Sequence, residues 1–290
     1  MENEDFSLAP HHLDQLIELA IIEDIGPGDI TTASLPDRPS NGEGVILAKE
    51  PVVIAGLEAA RRVFERIDPK IAFSALVSDG DEVPAGQEIA RVAGDFRSLL
   101  MAERIALNFL QRLSGIATHV RGYARELAAK PVRLVDTRKT IPGWRALEKY
   151  AVRMGGAANH RMGLYDGILI KDNHIAAFGD IRTAVASARQ TASHLLKLEI
   201  EVSSLNQVQE ALAAGADVIM LDNMSDADIR QAVSEIKGRA SIEVSGRVSR
   251  SSLQSLADMG VDIISVGALI HAARFVDLSM RIQLSAPAKS

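Results

Sequence analysis

Between Arg133 and His174 the chain gathers Arg138, Lys139, His160, Arg161, Lys171 and His174, although its formal net charge is −6. Guanidinium groups grip carboxylate or phosphate oxygens in pairs, and Lys acts as a compact point charge. Further along, Glu201 follows the apolar run ending at Ile200, and Asp222 follows Val218 to Leu221. Two acids beside several cations suit a ligand with more than one anionic group and a metal. Mg2+ fits best, because it keeps much of its water and is held by a few carboxylates together with substrate phosphates. Ser245-Gly246 and Gly267-Ala268 close two more apolar runs, where glycine lets backbone N–H groups approach a phosphate. A phosphosugar carrying a metal-bound polyphosphate is the simplest ligand that uses all of these groups. Taken singly, a Lys or Asp at a strand end is commonly a solvated terminus or a local salt bridge. His160 alone suits a packing role, and His11-His12 has no third ligand nearby. Six consecutive strand ends with ligand chemistry are harder to dismiss.

The elements that must position these groups follow one grammar from Pro131 onward: apolar strand, polar tip, helix. The tips are Asp136-Thr137-Arg138-Lys139, Lys171 to His174, Glu201, Asp222-Asn223, Ser245-Gly246 and Gly267. Ser204 with Gln207 and Ser225 before Asp226 and Asp228 read as helix N-caps, and Gly215, Gly238 and Gly260 as residues just past helix ends. Strands separated by helices predict a parallel sheet, and in a barrel all the tips surround one cavity. Six strands are visible, fewer than a full eight-stranded barrel needs.

Upstream, Leu13, Leu16, Ile17, Ala20 and Ile21 recur at helical spacing, and Gly26-Pro27-Gly28-Asp29 ends that helix. Strands are predicted at 45–48, 52–55 and 71–77, a helix at 57–66, and a hairpin turning at Asp79-Gly80-Asp81 to reach 89–92. A long helix starts near Ser98, with Gly115 as its candidate break. On it Arg104 and Asn108 share a face, which reads by spacing alone as solvated. The expected domains are 1–115, a mixed α/β unit joined by the segment 271–290, and 116–270, the barrel.

Bulk properties narrow the class. The chain has 290 residues, 47% of them hydrophobic and 24% charged, as in a globular protein. Its negative charge and lack of Lys/Arg runs argue against nucleic acid. The start, MENEDFSLAP, lacks the pattern of a signal peptide, and no apolar run approaches a membrane span, so a cytoplasmic location is expected. With no cysteine, disulfides, thiolate metal sites and a Cys nucleophile are excluded.

The blocks EDIGPGDITT (Glu23 to Thr32), AERIALNFLQRLSGIAT (Ala102 to Thr118), DTRKT through KDNH (Asp136 to His174), EIEV (Glu199 to Val202), LDN (Leu221 to Asn223) and EVSG (Glu243 to Gly246) together closely resemble the quinolinate phosphoribosyltransferase family. The resemblance runs essentially end to end. It implies an open α/β barrel with fewer than eight strands, of the type II phosphoribosyltransferase kind, plus a mixed α/β N-terminal domain. It also implies a cytoplasmic homodimer that uses Mg2+ to combine quinolinate with phosphoribosyl pyrophosphate, giving nicotinate mononucleotide, pyrophosphate and CO2 in de novo NAD synthesis. Carried over by motif, Arg138, His160, Arg161 and Lys171 form the quinolinate pocket, with Thr137 beside them. Arg104 reaches into the partner's site. Lys139, Glu201 and Asp222 surround the ribose and the Mg-bound pyrophosphate, with Glu201 and Asp222 as metal ligands largely through water. Ser245, Gly246 and Gly267 cradle the 5′-phosphate. Two other readings stay open: a barrel aldolase using Lys139 or Lys171 as a Schiff-base amine, and a related barrel protein associated with molybdenum transport.

Overall fold

A computed structural model describes residues 10–36 and 41–285. The chain opens with α1 (Pro10–Asp24), which buries Leu13 and Ile17 and leaves Leu19 and Ile22 exposed. Asp29 then caps the short α2 (Ile30–Ala33), its carboxylate accepting from the Thr32 N–H at 3.0 Å. There follow β1 (Asn41–Ala48), β2 (Val52–Val53), α3 (Leu57–Ile67), β3 (Ala72–Ala75), β4 (Glu82–Val83), β5 (Glu88–Asp95) and α4 (Phe96–Glu126). The expected hairpin across Asp79-Gly80-Asp81 forms, with β3 antiparallel to β5 from Ala72 opposite Ala93 to Ala75 opposite Ala90. Within its connection β4 pairs antiparallel with β2, and β5 also pairs with β1. Asp79 is occupied elsewhere: its carboxylate accepts the N–H groups of Gly56 and Leu57, so it caps the start of α3, and it also accepts from Tyr150 Oη at 2.6 Å.

The barrel strands come next. β6 (Arg133–Val135) is followed by α5 (Arg145–Met154), β7 (Ile168–Ile170), α6 (Asp172–Phe178), α7 (Ile181–Thr191), β8 (Leu198–Val202), α8 (Leu205–Ala214), β9 (Val218–Asp222), α9 (Asp226–Ile236), β10 (Ser241–Ser245), α10 (Leu253–Asp258), β11 (Ile263–Ser265) and α11 (Ala268–His271). All six strands are parallel, in the order β6-β11-β10-β9-β8-β7, so β6 and β7 are edges and the sheet is open. Most of their side chains are apolar and buried, as in a parallel sheet, with Glu199, Glu201 and Glu243 interrupting the pattern. Ile200, Ile219, Leu221 and Ile264 are fully buried. Ser204 and Ser225 accept the N–H groups of Gln207 and Asp228 as N-caps, and Gly215 ends α8 in the left-handed conformation.

The last strand, β12 (Leu278–Leu284), adds antiparallel to β1, completing a sheet of order β12-β1-β5-β3. The chain divides into two compact units: one takes the segments up to Arg121, Ile141–Gly156 and from Ala272 on, and the other Gly122–Thr140 and Ala157–His271. The first therefore extends to Arg121, past the expected boundary at 115, and it takes in α5. A buried ion pair within that unit accounts for this placement. Arg112 of α4 donates to Glu148 of α5 through Nε at 3.0 Å, and the other Glu148 oxygen accepts the Ile141 N–H at 2.9 Å. Breaking such a pair strands a buried charge, so α5 is held firmly to α4. No helix among the described residues is long and apolar enough to cross a membrane.

Gly115 does not divide the long helix, since α4 runs unbroken for 31 residues. Its lack of a side chain has another reason: a Cβ there would lie 2.0 Å from the Arg274 carbonyl oxygen. Gly115→Ala, ordinarily favourable inside a helix, is therefore expected to destabilise the protein by about 1–3 kcal/mol through overpacking. An unchanged or raised denaturation midpoint would contradict this account of close backbone approach.

Candidate active site

Side chains from the ends of the barrel strands line one cavity of about 930 Å3. Thr137, Arg138 and Lys139 come from the tip of β6, and Lys171 and His174 follow β7. Glu201 lies near the end of β8, and Asp222 and Asn223 at the end of β9. Ser245, Gly246 and Arg247 end β10, and Gly267 follows β11. His160 and Arg161 come from the loop after Ala158, which bridges in parallel to Val135 and so continues the sheet past β6. Every site residue expected from the sequence lines this cavity except Arg104, which stands exposed on α4 in the other unit. A groove of about 960 Å3 over α1 and α3 is lined by charges already paired, such as Arg62 with Asp14 and Arg66 with Glu18. It offers no comparable convergence.

Local bonds fix the pose of each group. Buried Asp136 accepts from the His160 N–H at 3.0 Å and from Asn159 Nδ2 at 2.6 Å, which ties the His160 loop to the end of β6. Arg161 donates from its guanidinium to the Gly167 carbonyl at 2.8 Å. Burial, and then the neighbouring Arg138, hold the Arg161 guanidinium below its ordinary range. Cations crowded in this way are stabilised by an anion between them. Lys171 ion-pairs with Glu201, and its own N–H donates to His174 Nδ1 at 2.9 Å, so the helix start fixes the loop. The Thr137 hydroxyl accepts the Lys139 N–H at 3.1 Å. Lys139 also crosses the end of β11, where a Cβ on Gly267 would come within 2.7 Å of its Cδ.

Asn223 is a member the sequence reading passed over. It adopts φ +54° and donates to Asp222 from Nδ2 at 2.7 Å, while its N–H donates to the Ser245 carbonyl at 3.1 Å. Gly246, at φ +84°, has Asn223 Oδ1 2.4 Å from where a Cβ would sit. The glycine is therefore required twice over, by conformation and by space. Arg247, also at positive φ, adds a fifth cation to the lining.

Below the rim lies a cluster that was also missed. His160 Nε2 is 3.1 Å from Glu199 and 3.6 Å from Glu243, and both acids are almost fully buried. His160 Nδ1 accepts the Arg161 N–H at 2.7 Å, so the ring hydrogen sits on Nε2 and faces the acids. The ligand atoms of these three residues lie within 4.8 Å of one another, a spacing a metal might otherwise use. An imidazole with one lone pair engaged and a hydrogen on the other nitrogen has none left for an ion, so the cluster is a proton site. Burial, and then the Glu199 charge, push Glu243 up from 4.5 to about 8. The signal was present in the sequence. Strand side chains alternate, so Glu199 shares a face with Glu201 and Glu243 with Ser245, inside strands that are otherwise apolar.

Residues 29–114 match the N-terminal domain, and residues 116–281 the C-terminal domain, of quinolinate phosphoribosyl transferase. The chain is 45% identical over 273 residues to a probable carboxylating nicotinate-nucleotide pyrophosphorylase of Synechocystis sp., covering 93% of this chain and 92% of the relative. It is 43% identical to the protein of the same description in Bacillus subtilis, with 94% of each covered. The crystal structure of NadC from Streptococcus pyogenes superposes with a TM-score of 0.92 at 41% identity, covering 96% of this chain and 99% of that one.

The raised Glu243 sets a pH dependence of stability. Its folded value exceeds the unfolded one, so between about 4.5 and 8 the folded state binds more protons. Stability is then highest at the acid end of that window and falls as pH rises through it. Glu243→Gln is expected to flatten this slope, becoming more stable relative to the native chain at pH 8 than at pH 5. Parallel stability curves for the two proteins would contradict the assignment.

Proposed function

The chain belongs to the quinolinate phosphoribosyltransferase family, and from that premise we propose how its cavity joins quinolinate to the phosphoribosyl group of phosphoribosyl pyrophosphate. The products are nicotinate mononucleotide, pyrophosphate and CO2, and the reaction is a step in de novo NAD synthesis. One observation carries the site assignment: Arg138, Lys139, Arg161 and Lys171 line the same cavity as Glu201 and Asp222. A dianionic pyridine and a polyphosphate need such a set.

Arg138, Arg161 and Lys171 hold the two carboxylates, and the bond from Arg161 to Gly167 aims its guanidinium. His160 has both ring nitrogens engaged, so it acts by fixing Arg161 and the acids beneath. Departure of pyrophosphate builds positive charge at the ribose C1 and negative charge on the leaving oxygens. Glu201 stabilises the first and Lys139 the second, both as groups already in place. The quinolinate nitrogen attacks C1, and the quaternised ring then withdraws electrons as CO2 leaves. Ser245, Gly246 and Gly267 offer the backbone turn for the 5′-phosphate.

Glu201 and Asp222 fit Mg2+ held chiefly by water and the substrate. Each is already engaged, by Lys171 and by Asn223 respectively, and they lie at the rim with Glu243 set deeper in the lining. Two carboxylates are too few for a full protein cage and enough for a shared ion. When bound, Mg2+ neutralises charge on the pyrophosphate. The same reading includes a cytoplasmic homodimer in which the exposed Arg104 completes the partner's site. The aldolase alternative, with Lys139 or Lys171 as the amine, is disfavoured by the match to the family over both domains. Agreement with the family over both domains disfavours the molybdenum-associated protein.

Purified protein with quinolinate, phosphoribosyl pyrophosphate and Mg2+ should yield nicotinate mononucleotide and CO2 in equal amounts. With about 1.5–3 kcal/mol per charged hydrogen bond, Arg138→Ala or Lys171→Ala should raise the quinolinate KM about tenfold or more, whereas Lys139→Ala should mainly lower kcat. Near-normal kinetics in all three variants would refute the roles given. A mixture of Arg104→Ala and Lys171→Ala chains should regain activity through one intact shared site in the mixed dimer, and no recovery would remove the trans role of Arg104.

A further inference from the structure

Quinolinate loses a carboxylate at C2 and gains a hydrogen there, so a proton must arrive at that carbon inside the closed-in cavity. We propose that Glu243 is the acid that delivers it. This rests on the functional reading above and extends it to a step which that reading leaves without a donor.

Several lining groups are already engaged, and Lys139, placed above at the pyrophosphate, and His174, whose Nδ1 accepts the Lys171 N–H, have other roles. The arginines do not release protons, Lys171 is committed to Glu201, and the one ring hydrogen of His160 is directed at Glu199. Asp222 accepts from Asn223. Glu243 is different. It lines the cavity yet is only 2% exposed, and its Oε1 has no hydrogen-bond partner among the described residues. That oxygen is 3.6 Å from His160 Nε2, beyond a hydrogen bond, because His160 is turned toward Glu199. Glu199 therefore takes the imidazole N–H, and Glu243 is left without that partner. The elevated proton affinity already described favours its neutral form below about pH 8, and the neutral form is the one that can donate.

Placement supports the same role. Glu243 lies two residues before Ser245 on β10, on the same face and one layer under the rim, and it is in register with Met220 of β9. In the pyridine ring C2 lies between N1, which must face the ribose, and C3, which carries the other carboxylate. A ring held by its carboxylates at the rim, with N1 toward Glu201 and Asp222, brings C2 over this floor. A neutral carboxyl group there also admits the dianion, which a charged one would repel.

In the step itself the bond from C2 to the carboxylate breaks, CO2 departs, and the electron pair stays on C2 beside the quaternised nitrogen. That pair takes the Glu243 proton to form the C2–H bond. Glu243 becomes a carboxylate and regains a proton from water after product leaves. Without a donor the pair can recapture CO2, so net release slows even if the bond still breaks.

The test is a single turnover of Glu243→Gln with quinolinate, phosphoribosyl pyrophosphate and Mg2+, following pyrophosphate and CO2 separately. Pyrophosphate should appear at close to the native rate. CO2 should slow by about a hundredfold or more, as expected for loss of a positioned acid, and the N-ribosylated dicarboxylate should accumulate. Glu243→Asp keeps an acid and should recover part of the CO2 rate. Native release of CO2 by the Gln variant would overturn the proposal, as would an equal loss of both products in the two variants, which marks a structural role. Failure of the native protein to release pyrophosphate from these substrates would sink the functional reading itself, whereas native turnover with an unaffected Gln variant would sink only this inference.

Discussion

Charge of one sign has to be gathered and kept apart from itself before a polyanion arrives, and the barrel rim is arranged around that constraint. Arg138, Lys139, Arg161, Lys171 and Arg247 line a single cavity in a chain of negative net charge. Their mutual repulsion is visible in Arg161, which is disfavoured as a cation by burial and by Arg138. The fold bears this cost through fixed local partners: the Gly167 carbonyl for Arg161 and the Glu201 carboxylate for Lys171. An anionic ligand relieves the same repulsion, so the cavity favours the ligand it is built for.

The second layer shows the opposite problem solved by a proton. Glu199 and Glu243 are too buried and too close for both to be charged. Burial and the neighbouring Glu199 hold a proton on Glu243, and the His160 ring lies between the acids and the Arg161 backbone. The rim above is thereby left with its cationic excess intact. Asp136, at the end of β6, holds the loop that makes the arrangement possible.

Much of this was legible in the sequence, because the parallel strands announce themselves as apolar runs and their polar tips are where ligands bind. Six strands, their order along the chain and nearly all of the rim residues follow from that pattern alone. What escaped was set by distant contacts. Gly115 reads as a helix break, but the Arg274 carbonyl packed against it is far off in the chain. The hairpin at Asp79 was legible, but not that its carboxylate also caps α3. The segment 271–290 was expected to join the N-terminal unit, but not that its residues 278–284 would do so as a strand beside β1. Glu199 and Glu243 were hidden by motif reading, which favours the strand tips over residues two positions inside them.

The central claim is that the cavity recognises two adjacent carboxylates at once, and binding by unreactive analogues tests it without any chemistry. Calorimetric titration should find benzene-1,2-dicarboxylate, which lacks the attacking nitrogen, bound at least about tenfold more tightly than benzoate, the margin expected from one further charged contact. Equal affinities for the two would mean that the cations at the rim do not act together on a dianion, and the account would fail.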